Sequence, residues 1–88
     1  MKIRLFLKET RAGLELNDEE SIIDKKQWID ENNLLERFFP ILDELLKRNN
    51  CVIDDIDDFV LDTNVPNGYT TARIARTIIK TLSFAQKK

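Results

Sequence analysis

The sequence predicts a small α/β domain in the order β-β-β-α-β-α, one sheet with both helices on a single face. Three observations carry this. Apolar and polar residues alternate through much of 2–29, the mark of strands with one buried face. Two later stretches, near 33–49 and 70–85, repeat apolar residues at helical spacing. Between them Phe59–Leu61 is a short apolar run bounded by Asp58 and Asp62.

Ile3, Leu5 and Leu7 point one way and Lys2, Arg4, Phe6 and Lys8 the other, so 2–8 reads as a strand. Glu9, Thr10 and Arg11 reverse the chain, and Ala12–Leu16 returns with Leu14 and Leu16 on one face. Asn17–Glu20 is a second turn, built from side chains that favour turns over strands. Ser21–Ile29 is a third strand, with Ile23, Gln27 and Ile29 set against Ile22 and Trp28. Its charged interior, Asp24-Lys25-Lys26, places it at a sheet edge, where charge deters aggregation. The three strands form an antiparallel meander.

Asp30, Asn32 or Asn33 can cap a helix running to about Asn49. Leu34, Leu35, Phe38, Phe39, Ile41, Leu42, Leu45 and Leu46 fill an arc of roughly 160° on it. Pro40 lies inside and should bend it. Cys51–Asp58 is a polar connection to the strand Phe59–Leu61. Asn64–Gly68 is a turn, and Gly68 or Thr70 opens a second helix ending near Ala85. Pro66 presets φ in that turn, Gly68 can supply a positive φ and Thr70 can cap. Ala72, Ile74, Ala75, Ile78, Ile79, Leu82 and Ala85 again span roughly 160°. This order, with the first and fourth strands parallel, is the opening half of a ribonuclease-H-like lobe. The other sheet face would carry Arg4, Phe6 and Lys8.

Composition removes most enzyme classes. The 88 residues suit one domain, and 42% hydrophobic with 34% charged content is that of an ordered globular chain. There is no histidine, so His-based acid–base chemistry, Ser-His-Asp triads and most zinc sites are out. Cys51 is the one cysteine, which excludes an internal disulfide or a thiolate cluster. Gly13 and Gly68 are too few for a phosphate-cradling loop, so no cofactor is expected. A net charge of -2 gives no bulk attraction to nucleic acid, which would be met only indirectly. No apolar run approaches the ~20 residues of a membrane span, and the N-terminus does not read as a signal peptide. No membrane association is expected, and a cytoplasmic location is. A metal nuclease on this fold would need converging carboxylates. Asp62 and Glu36 or Glu44 are candidates, but the first strand contributes none.

The stretch Val65-Pro-Asn-Gly-Tyr-Thr-Thr-Ala-Arg-Ile-Ala75 resembles the Gly-Pro-Gly-Ser-Phe-Thr-Gly-x-Arg-x-Gly segment of the TsaB family. TsaB is the accessory subunit of bacterial tRNA threonylcarbamoyladenosine synthesis. Pro66, Thr70 and Arg73 match outright and Tyr69 stands for the aromatic residue, while the motif's glycines are replaced by Val65, Asn67, Thr71 and Ala75. Upstream, Phe39-Pro-Ile-Leu-Asp-Glu-Leu-Leu46 is similar to the family's Leu-Pro-x-Ile-Asp-x-Leu-Leu helix, at matching spacing. The resemblance covers roughly 34–85. It departs at the end of the first strand, where Lys8-Glu9-Thr10 replaces an Asp-Thr-Ser-like turn. It departs again at the first helix, where Leu34-Leu35 replaces a His-Ser pair.

The resemblance implies a single TsaB-like N-terminal lobe over 1–88, a non-catalytic scaffold docking on a TsaD-like enzyme, or on itself as a homodimer, through its two helices. Each apolar arc is wider than the ~100° a helix needs to face a core. Flank-to-flank helix packing can consume the excess. Otherwise Leu35, Phe39, Leu42 and Leu46 with Ala72, Ala75 and Ile79 supply a partner interface, and Pro66, Gly68, Tyr69, Thr70 and Arg73 form the turn motif beside it. The alternatives are a homodimeric module unrelated to tRNA, the metal nuclease, and a piece of a two-lobe protein.

Overall fold

The computed structural model describes residues 1–9, 11–31, 33–66 and 68–86. Asn32 and Asn67, a capping candidate and a turn residue, lie outside the described residues, as does Thr10. The elements follow the expected order: β1 (Lys2–Lys8), β2 (Arg11–Asp18), β3 (Ser21–Ile29), α1 (Leu34–Arg48), β4 (Asp58–Thr63) and α2 (Thr70–Gln86). The sheet order is β3-β2-β1-β4, with β1 antiparallel to β2 and parallel to β4.

The core is the helix-facing side of the sheet. Ile3, Leu5 and Leu7 pair with Leu16, Leu14 and Ala12, and all six side chains are fully buried. Phe59 and Leu61 continue this face on β4. α1 packs over β2 and β3, α2 over β4 and β1, and the helices touch along their flanks. β2 and β4 each run longer than their apolar runs suggest, because polar end residues such as Arg11 and Asp58 pair with β1 partners.

The turns have local causes. Glu9 and Glu19, at φ of 55° and 56°, sit in the two reversals of the meander. Asn50, at φ 56°, ends α1. There Cys51 N–H donates to the Leu46 carbonyl at 2.9 Å and Asn50 N–H to that of Lys47 at 3.2 Å, a Schellman closure with asparagine at the left-handed position. At the other end Asn33 holds the capping position without capping; its Oδ1 accepts from Glu31 N–H at 3.3 Å. α1 continues through Pro40, which faces solvent.

β3 is an edge strand as expected, but its charges do not all face water. Asp24, Lys26 and Trp28 pair with Leu16, Leu14 and Ala12, and so share the helix side of the sheet. Arg48 of α1 donates to both Asp24 oxygens at 2.8 Å, and Lys26 Nζ reaches Glu44 at 2.6 Å. The charged middle of β3 thus docks the flank of α1. Ile22, Ile23 and Ile29 remain exposed instead, Ile22 beside a register shift at Leu16/Asn17.

Candidate functional site

The helix pair divides the expected interface in two. Leu35 and Phe39, one turn apart on α1, are 55% and 48% exposed. Leu42, Leu46, Ala72, Ala75 and Ile79 are buried within the chain itself, Ile79 at 9% exposure. The exposed seam expected from Leu46, Ala72 and Ile79 is therefore corrected. Packing α1 against α2 and both against the sheet uses that side of each arc, while Leu35 and Phe39 on the far side of α1 stay open.

A shallow groove of about 250 Å³ lies where α1 meets the first turns of α2, lined by Leu35, Thr70, Arg73, Ile74, Thr77 and Ile78. Phe39 stands beyond it, its ring edge-on to Phe38 at 5.0 Å and 83°. Thr70, Arg73 and Ile74 recur with Thr77 and Ile78 at helical spacing, so the signal for this strip was present in the sequence. Which side of the α2 arc stays near the surface depends on rotation of the helix, and that is a tertiary property.

The turn motif lies at the end of this groove. Tyr69 N–H donates to the Pro66 carbonyl at 3.1 Å, and Arg73 N–H donates to the Tyr69 carbonyl at 3.1 Å. Tyr69 thus takes the capping position expected of Thr70, which is already helical. Gly68 does not supply a positive φ; no described glycine does. Nothing stands within 4 Å of the place its β-carbon would take, so that expectation is corrected too. Pro66 and Tyr69 also line a recess of about 250 Å³ with Glu9, Asn64 and Val65, beyond the C-terminal ends of β1 and β4. Among the described residues its lining carries a carboxylate and no cation, which is unsuited to phosphate.

The carboxylates considered for a metal do not converge. Asp62 lies on the sheet face away from the helices, beside Phe6, and is bound by Arg4. The Arg4 guanidinium holds the Asp62 carboxyl below its ordinary range. Glu44 belongs to α1 on the opposite face and is paired with Lys26. Among the described residues no group of three or more metal-binding side chains comes together. Among them too, no helix is long and apolar enough to cross a membrane.

No family model and no curated protein matches this sequence. Solved structures do, among them YeaZ from Pseudomonas aeruginosa and a protein described as uncharacterized with similarity to the peptidase YEAZ from Pseudomonas aeruginosa. Each aligns over 100% of this chain with a TM-score of 0.77 at 20% identity. The chain spans 41% of the length of either. The fold is thus that of part of a YeaZ lobe, of the actin-like and ribonuclease-H-like kind.

Proposed function

We propose that this chain is a non-catalytic interaction subunit of the TsaB type. It docks through the outer face of the α1–α2 pair onto a TsaD-like enzyme of tRNA threonylcarbamoyladenosine synthesis or onto a second copy of itself. It holds no cofactor and meets tRNA only through its partner. The observation that carries the reading is the exposure of Leu35 and Phe39 beside the groove that Ile74 and Ile78 line. Two large apolar side chains one turn apart on a helix, next to a partly apolar groove, are the anchors a helical partner uses. The likeness of fold to YeaZ, which is TsaB, supports the same reading. The interface is recentred from the seven residues read from the sequence to Leu35, Phe39 and the near side of α2, with Arg73 and the Tyr69 turn at its rim. A specific interface takes on the order of 800 Å² per partner, within reach of two helices side by side.

Sedimentation of the chain alone and mixed with a TsaD from the same organism tests this. Association is expected in at least one case, with Leu35→Asp and Phe39→Asp abolishing it while remaining folded. Ile79→Asp, by contrast, should unfold the chain, since it places a charge in the core. A parent chain that stays monomeric and ignores TsaD overturns the reading. Dimerisation without any response to TsaD favours the self-associating module.

A further inference from the structure

Two acids on α1 and two bases on α2 share one spacing. Glu36 and Asp43 are seven residues apart, as are Arg73 and Lys80, and all four are exposed. Seven residues is two helical turns, so each pair lies on one side of its helix about 10 Å apart. Exposed Phe39 sits between the acids and exposed Thr77 between the bases. From Thr70 to Gln86, α2 carries Arg73, Arg76 and Lys80 and no carboxylate. Asp43 meets Lys47 of its own helix at 3.0 Å, an exposed pair worth little and easily exchanged for another.

The fold holds the two pairs level. α1 runs against β3, since Glu44 meets Lys26 and Arg48 meets Asp24. α2 runs against β4, opening after Thr63 and reaching back to the Phe59 carbonyl with Ser83. β3 and β4 both point along β1, so the two helices run in the same direction. Leu35 shares its groove with Arg73, Ile74 and Thr77, which sets the first turns of the helices side by side. At about 1.5 Å per residue, Glu36 is then level with Arg73 and Asp43 with Lys80, to within about one turn.

We propose that a second copy of the chain covers this face, stacked so that α1 of each protomer lies along α2 of the other. Such a pairing rests on the docking face of the proposed function and fixes its occupant. Two layers of helices stacked with two-fold symmetry have their axis either across the helices or along them. An axis across sets α2 against its twin, and Arg73, Arg76 and Lys80 then meet like charge, which is costly. An axis along the helices keeps every residue at its own height. It sets Glu36 against the partner subunit's Arg73 and Asp43 against the partner subunit's Lys80, twice per dimer. The groove of about 360 Å³ lined by Thr77, Lys80, Thr81 and Phe84 then faces Phe39 of the partner subunit. A face whose acidic half matches its own basic half in spacing and in height is its own complement.

The test is charge exchange followed by sedimentation. Glu36→Lys with Asp43→Lys makes both halves of the face basic, and Arg73→Glu with Lys80→Glu makes both acidic. Each double variant alone should associate at least tenfold more weakly than the parent while keeping its circular dichroism, since all four positions are exposed. An equimolar mixture of the two should recover the parent's dimer. Variants that dimerise as the parent does overturn the proposal, and so does a loss that mixing fails to repair. A monomeric parent overturns it too. A TsaD bound by that monomer, and released by Leu35→Asp, would leave the docking face itself standing.

Discussion

The ring of Phe6 lies over Gly13, its register partner across β1 and β2, so closely that a β-carbon at position 13 would overlap its edge atoms. Gly13 lacks a positive φ, so glycine serves here for space and not for conformation. On its other side the added carbon would stand 3.0 Å from the Lys26 carbonyl oxygen. The pair is how the helix-free face of the sheet covers part of itself.

Gly13→Ala should therefore destabilise the chain by about 1–3 kcal/mol, the usual cost of overpacking. In a Phe6→Ala background the same change should cost much less. Denaturant unfolding of the four proteins measures the coupling, and equal costs in both backgrounds would show that the ring yields freely.

Arg4 spans three strands on that same face, donating to Glu15 on β2 at 2.5 Å and to Asp62 on β4. Glu15 is only 7% exposed and depends on this partner. Arg4→Met should cost about 1–3 kcal/mol, because a buried acceptor loses its donor. Adding Glu15→Met should recover part of that loss, since a buried pair is often replaceable by apolar side chains. Additive losses would mean that the two groups act independently.

Asp24 gives the chain an acid limit. The Arg48 guanidinium first, then Asn49, holds its carboxyl down from the ordinary 3.8 to about 2. A carboxyl lowered in the folded state stabilises fully above its unfolded value, and that stabilisation is lost as pH falls through the folded one. Melting temperature should drop between about pH 4 and 2 more steeply in the parent than in Asp24→Asn. Parallel pH curves for the two would remove Asp24 from the cause.

Gly68 should behave in the opposite sense to Gly13. With open space around it and no positive φ, Gly68→Ala should leave stability unchanged or raise it by about 0.4–1 kcal/mol, through a stiffer unfolded chain. A thermal melt lowered by the equivalent of more than 1 kcal/mol would show that the turn before α2 needs its glycine.

Much of this architecture is legible from local period alone. Ile3, Leu5 and Leu7 declare β1, and the apolar arcs declare α1 and α2, because alternation and helical repeat are properties of residues near in sequence. The turn through Pro66, Tyr69 and Arg73 likewise reads from adjacent residues. What only the tertiary structure decided is which part of each arc is covered: Leu42, Leu46, Ala72 and Ile79 inside, Leu35 and Phe39 outside. It also turned Asp24 and Lys26 toward α1 and brought Phe6 over Gly13. These outcomes depend on the rotation of a helix about its axis and on strand register. Both are set by contacts between residues far apart in the chain, such as Asp24 with Arg48 and Arg4 with Asp62, which no local period encodes.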